Sequence, residues 1–364
     1  MVTTGKKNRI IFIDLMRAFA VIQMVQGHTV DVLLAPELRT DENLAYSIWL
    51  FMRGMTAPIF MFTAGTTFTY LFRLAQEPFE KNPRVRKGIK RFLLLIFIGY
   101  LLRYPTPTLI DFSRVTESQW RIFFAVDVLH LIGFGILFVL ILAYISEKIK
   151  LSDYTVFIAA ALMFFLPAHS FKQIEWINFL PHPIASYFYT GTGSQFPLFP
   201  WAGYVLLGGA LGSYMANNAM VFKSPKFSFT LSVIGFMLLF FSYIGGDLAN
   251  FFGYNLDRSS TSLLTIAFRL GFVLLLNSLV SFISISVETI PRIIILVGRN
   301  TLLIYIVHLM ILYGSAWNKG LNHYWGKSLY APQTISLALA MLVTMTTMVW
   351  LINKLKIRNK ELVT

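Results

Sequence analysis

The stretch IIFIDLMRAFAVIQMVQGHTVDVLL, Ile10 to Leu34, is apolar enough to cross a bilayer, yet Asp14, Arg17, His28 and Asp31 interrupt it. A spanning helix needs about 20 mostly apolar residues. The basic start Lys6, Lys7 and Arg9 imitates a secretory signal, but the internal charges and the lack of a small-residue cleavage site predict a retained first helix. Nine further runs follow between charged or Pro/Gly-rich breaks: Tyr46 to Phe72, Phe92 to Tyr104, Ile122 to Ile145, Tyr154 to Ala168, Pro197 to Met215, Phe229 to Gly245, Leu263 to Ile285, Thr301 to Ala316 and Thr334 to Ile352. The third is short and is expected to begin upstream, near Arg86; the fifth and ninth are expected to draw extra turns from flanking loops. The expected fold is an all-α integral membrane bundle of about ten transmembrane helices, a single domain over residues 1–364. Composition agrees. Of 364 residues 56% are hydrophobic and only 13% charged, against about 25% charged in soluble domains, and the mean hydropathy is +0.65. A water-soluble globule is excluded. The absence of Cys excludes disulfides, thiol nucleophiles and Cys-ligated metals.

An even number of crossings puts both termini on one side, and the cations choose it. With the amino terminus inside, the inner segments hold 20 of the 31 Lys and Arg, the outer ones 8, and Arg17, Arg53 and Arg269 fall inside apolar runs. Cytoplasmic loops carry the excess of Lys and Arg, so both termini are expected in the cytoplasm. The net charge of +14 is then membrane topology, and nucleic acid is not an expected partner. Arg84, Arg86, Lys87, Lys90 and Arg91 crowd the inner side just before the third run. They read either as an anchor on anionic lipid heads or as a phosphate-binding rim for a polyanionic cytosolic donor. Charge alone does not separate the two.

An ionisable residue inside a spanning helix is by default a functional hypothesis. Arg17 and His28 are 11 residues apart, about 20° around a helix axis and roughly 16 Å along it. Asp14 falls on the same face, and Asp31, one turn beyond His28, is expected to accept a hydrogen bond from the imidazole and fix its tautomer. The plainer alternative is an inner-leaflet Asp14–Arg17 ion pair with His28 at the outer interface. Asp127 and His130, one turn apart at the outer start of the fourth run, are either a base with its orienting carboxylate or an interfacial pair. Thr301, Tyr305 and His308 share one face of the ninth run, as a site or as helix-packing contacts. Arg53 and Arg269 each need a counter-charge or a phosphate. A metal is not expected, because no two His stand four apart on a helix and no His-Glu-x-x-His motif occurs.

The segment IDLMRAFAV, Ile13 to Val21, continuing to His28, resembles the signature of the acyltransferase-3 family of membrane acyl-transferring enzymes. APIFMFTAG, Ala57 to Gly65, is similar to that family's second-helix run, with Ala64-Gly65-Thr66 in place of its usual Ser-Gly-Phe. Three other segments resemble the sister group of heparan-alpha-glucosaminide N-acetyltransferase and its bacterial relatives: DVLHLIG (Asp127 to Gly133), FPLFPWAGY (Phe196 to Tyr204) and GRNTLLIY (Gly298 to Tyr305). The sister group usually has Gly at the position of Ala18. The matches run from Asp14 to His308, which is similar to a shared transmembrane acyltransferase superfamily.

The resemblance implies a cytosolic acyl-CoA donor, acetyl-CoA being expected, and an acceptor hydroxyl or amine on a sugar, glycan or glycolipid at the outer face. The expected setting is the bacterial inner membrane and the expected outcome is glycan modification such as O-acetylation. His28 is then the expected general base, its ordinary pKa being near neutrality, or a transient acyl carrier. Arg17 with Asp14, Asp127 with His130, and His308 complete the expected catalytic set, with Arg103, His130, Tyr305 or His308 as oxyanion donors. The cations expected to hold the donor are Arg84, Lys87, Lys90, Arg91, Arg103, Arg269 and Arg299. A proton-coupled transporter or lipid-linked sugar flippase would also gather Arg, Asp and His in a cavity, and commonly uses a broken helix. Gly208-Gly209 and Gly245-Gly246 are the hints of one. A structural scaffold leaves the buried charges unexplained. Membrane lipids are expected partners, and the oligomeric state, a homodimer included, stays open because lipid-facing and partner-facing surfaces look alike.

Overall fold

Caps in the sequence set where several of the helices start. The computed structural model describes residues 11–40, 42–253 and 259–361; Lys6, Lys7 and Arg9, counted above as inner cations, lie outside the described residues. The helices are α1 (Ile11–Leu33), α2 (Leu44–Arg73), α3 (Pro83–Leu102), α4 (Glu117–Phe124), α5 (Val128–Ile149), α6 (Asp153–Phe165), α7 (Ala168–Gln173), α8 (His182–Ala185), α9 (Leu198–Asn217), α10 (Pro225–Phe251), α11 (Leu263–Ser286), α12 (Arg292–Arg299), α13 (Thr301–Leu312), α14 (Leu321–Trp325) and α15 (Ala331–Glu361). A two-residue hairpin, β1 (Gly314–Ser315) with β2 (Asn318–Lys319), follows α13. α3 begins at Pro83 because Asn82 caps it, accepting from the Arg84 amide at 2.9 Å, and Pro suits a first helical position. It therefore includes the basic residues upstream of Phe92.

Two predicted runs are not single helices. The fourth, Ile122 to Ile145, is split into α4 and α5. Asp127 takes an extended conformation and its carboxylate accepts from the amides of Leu129 and His130 at 2.9 and 3.2 Å, so the cap that starts α5 also ends the helix before it. The ninth, Thr301 to Ala316, stops at Leu312 and is preceded by α12, bent by 75° from α13 at Asn300. The Asn300 amide group donates to Leu296 O at 2.7 Å, competing with the helix for its own carbonyls.

Among the described residues, five helical stretches are long and apolar enough to cross a membrane: Glu117–Ile149, Asp153–Gln173, Pro225–Phe251, Leu263–Ser286 and Ala331–Arg358. The bent α12–α13 pair makes a sixth if it counts as one span. The chain is a helical, multi-pass membrane protein.

Packing centres on α1, α2 and α9. A Cβ on Gly65 would lie 1.9 Å from Val205 O, and one on Gly208 would lie 1.9 Å from Phe62 O, so α2 and α9 touch backbone to backbone and only glycine fits. Gly298 similarly brings α12 onto α1, where a Cβ would meet Asp14 O at 2.8 Å. Gly208-Gly209 and Gly245-Gly246 lie inside regular turns of α9 and α10 and break neither; the kink in α9 is at Phe199. At one end of the bundle Arg73 of α2 pairs with Asp153 of α6 and Glu147 of α5. The hairpin of α10 and α11 is joined by Ser228–Ser281 and Ser232–Ser278 hydroxyl pairs at 2.8 and 2.7 Å.

Candidate active site

α1 runs along two cavities. Near its amino-terminal end Arg17 lines one of about 490 Å³, together with Arg91 of α3, Arg299 at the end of α12, and Thr63 and Thr67 of α2. Near its carboxyl-terminal end His28 lines a second, of about 970 Å³, with Arg53, Arg103, Arg121, Asp127 and Arg269. Phe60 and Tyr305 line both. The partition between the cavities is thus made of side chains from α2 and α13.

The Arg17 cavity is built by the break at Asn300. Gly298 lets α12 approach α1, and the 75° bend then turns Thr301 to Arg17, whose guanidinium donates to the Thr301 hydroxyl at 3.4 Å. Arg91 and Arg299 both act on Arg17 as like charges, with Asp14 as the opposing one. Three arginines line this one volume and give it the positive charge that suits a multiply charged anion. The Thr63 and Thr67 hydroxyls are buried without hydrogen-bond partners, one turn apart on α2. They offer a ligand the polar contacts the protein itself leaves unfilled.

At the other end His28 Nδ1 lies 3.2 Å from the Tyr313 hydroxyl, and its ring centroid 5.5 Å from that of His308. The expected Asp31 partner is overturned. Asp31 is held by Arg53 at 2.5 Å and Arg39 at 3.7 Å, and this pairing also supplies the counter-charge that Arg53 needs. His308 is buried, with Nδ1 2.8 Å from Ile304 O; an N–H must donate there, which leaves Nε2 as an acceptor, and that atom has no partner.

The Asp127–His130 pair forms a capping box, with Nδ1 of His130 2.9 Å from the carboxylate and Arg103 Nε 3.6 Å from its other oxygen. Asp127 lines the His28 cavity, whereas His130 stands behind it, fully buried against Gly99, where a Cβ would meet the imidazole at 2.6 Å. Its Nε2 has no partner. Arg269 lines the same cavity with its guanidinium 5.2 Å above the Trp201 ring.

The structure therefore gathers Arg17, Arg91 and Arg299 at one cavity and His28, Arg103, Asp127 and Arg269 at the other. It sets Asp14, His130 and His308 behind the walls. Arg84, Lys87 and Lys90 line neither cavity, and both lysines are exposed on α3. Sequence reasoning missed Phe60, Tyr313, Arg121 and the Thr63/Thr67 pair. The threonine pair had a readable signal, two hydroxyls at i and i+4 within an apolar run. Among the described residues no group of three or more His, Asp or Glu is arranged to hold a metal ion.

The chain is thus a multi-pass helical membrane protein with an arginine-lined cavity and a second one lined by His28. The catalytic-domain family of heparan-alpha-glucosaminide N-acetyltransferase matches residues 9–245. The chain belongs to that family, which is one of acetyltransferases. The match falls on the second of the two groups that the motifs resemble, and it ends before α11, so Arg269, Gly298 to Tyr305 and His308 lie beyond it. No curated protein matches the chain.

Proposed function

We propose that the chain is an integral-membrane acetyltransferase that moves an acetyl group from acetyl-CoA to a hydroxyl or amine of a sugar, glycan or glycolipid on the other side of the membrane. In this reading ten helices cross a bacterial inner membrane with both termini in the cytoplasm, and the Arg17 cavity faces inward. The observation that carries it is the shared wall: Phe60 and Tyr305 border both the cation-lined cavity and the one that holds His28.

Arg17, Arg91 and Arg299 hold the donor's phosphates, and the thioester end reaches the Phe60–Tyr305 partition. With Nδ1–H donating to the Tyr313 oxygen, Nε2 of His28 carries the lone pair that takes the acceptor's proton. The carbon–sulfur bond breaks as the new carbon–oxygen or carbon–nitrogen bond forms, and the proton passes from His28 to the departing thiolate. Tyr305 and Arg103, which line the same cavity, are the donors for the oxyanion. The roles of Asp14, His130 and His308 are positional: each stands behind a cavity residue.

Transport is the weaker reading. The break at Asn300 would suit it, but that break brings Thr301 and Arg299 to the arginine-lined cavity, and no internal repeat accompanies it. The test uses purified protein in nanodiscs with acetyl-CoA and glucosamine or a sugar polymer, measuring free thiol with a colorimetric reagent. The protein has no Cys to contribute background. Release of CoA that depends on the acceptor supports the reading. Absence of both acetyl-CoA binding and thiol release with every acceptor, or uptake of the sugar into proteoliposomes without CoA, refutes it.

A further inference from the structure

Four arginines and one carboxylate line the His28 cavity. Two of the four are already neutralised: Arg53 by Asp31 at 2.5 Å and Arg103 by Asp127 at 3.6 Å. Arg121 donates to the carbonyl oxygens of Gly191 and Thr192, at 2.5 and 3.3 Å, and has no carboxylate within ion-pair distance among the described residues. Arg269 is the more telling case. Its Nε and one Nη are shut away from solvent without a hydrogen bond of ordinary geometry, the buried Tyr204 hydroxyl being the polar group beside them, while the guanidinium carbon lies 5.2 Å from the Trp201 ring centroid. A guanidinium N–H shut away from water is unfavourable unless something with matching geometry supplies an acceptor. The wall offers it an aromatic face and no anion.

A planar fork of N–H donors beside an indole is an arrangement that suits a two-oxygen anion. Trp201 stands on α9 beside Gly203, which packs so closely on Phe165 that a Cβ there would meet the ring at 2.5 Å. Arg121 adds a second positive charge to the same cavity. We infer that the His28 cavity selects an acceptor carrying an anionic group, a phosphate or a carboxylate, which pairs with Arg269 over Trp201 while the reacting hydroxyl or amine is presented to His28. The inference rests on the acetyl-transfer reading for the second half of that statement. The anion subsite itself does not depend on it.

Two measurements separate these layers. First, affinity of the nanodisc-embedded protein is measured without acetyl-CoA for three probes: glucosamine, glucosamine 6-phosphate and glucuronic acid. At least one anionic sugar should bind tenfold or more tighter than glucosamine, and the preference should fall steeply with added salt. The phosphate and carboxylate arms say which anion the site takes. Equal affinity for all three overturns the inference. Second, the anionic-to-neutral ratio is measured for Arg269→Gln and Arg269→Lys. It should collapse toward one in R269Q and recover only in part in R269K, which keeps the charge but not the fork. An unchanged ratio in a folded R269Q overturns the assignment to Arg269. If the Gln variant does not fold, the Lys variant and the wild-type probe series decide. Tight anionic binding with no thiol release from acetyl-CoA would leave the subsite standing and remove the transferase reading; thiol release with no anionic preference would do the reverse.

Discussion

His28 meets its hydrogen-bond partner across 285 positions of sequence, and that is why the partner was unreadable. The expectation took Asp31 because helix periodicity puts it one turn away, and periodicity sees only the residue's own helix. Two arginines from outside that helix claim Asp31 instead, and Tyr313 fills the vacancy. The consequences are measurable. His28→Ala should lower turnover by about 10²–10⁴-fold, the usual contribution of a positioned base, with the thermal unfolding temperature unchanged; a variant with undiminished thiol release would remove His28 from the chemistry. Tyr313→Phe should lower it only about tenfold, the worth of one hydrogen bond of about 1.4 kcal/mol. Arg17→Ala should raise the KM for acetyl-CoA and leave the KM for the acceptor alone, because Arg17 and His28 line different cavities. Equal loss for both substrates would contradict that division.

Among the elements, the apolar runs were legible because twenty consecutive apolar residues have few other uses, and the upstream start of α3 was legible from its basic residues. The two breaks were not. An Asp or Asn in an apolar run looks like a polar residue of a spanning helix, and only the capping geometry of Asp127 and Asn300 reveals that each ends one helix and starts another. Glycines told the reverse story: Gly208, read as a possible break, is where α2 and α9 touch. Gly65→Ala puts a methyl 1.9 Å from a backbone oxygen, so it should destabilise the protein by about 3 kcal/mol, the upper end of overpacking costs. Size-exclusion profiles and unfolding temperatures in detergent would show it, and a variant as stable as the parent would mean that the two helices can part. Arg73→Ala strands Asp153, which is 8% exposed, and should cost about 3 kcal/mol or more by the same assay.

At the scale of the molecule, the helical membrane class was legible, and so was α1 as the helix whose Arg17 and His28 line cavities. The division into two cavities was not, since it depends on which residues of α2 and α13 meet. Natural absence of Cys makes sidedness testable directly. A single cysteine at Lys87 should react with a membrane-impermeant maleimide only after cells are opened, and one at Ser315, in the hairpin beside the His28 cavity, should react in intact cells. The opposite pattern would invert the proposed orientation. The partition formed by Phe60 and Tyr305 carries one last implication. In the proposed orientation, two cavities that open to opposite faces and share an aromatic wall would concentrate the membrane voltage across that wall, where each elementary charge moved is worth about 2.3 kcal/mol per 100 mV. A charge that shifts along the membrane normal during transfer would then do so inside this narrow drop, and the membrane potential would enter the rate.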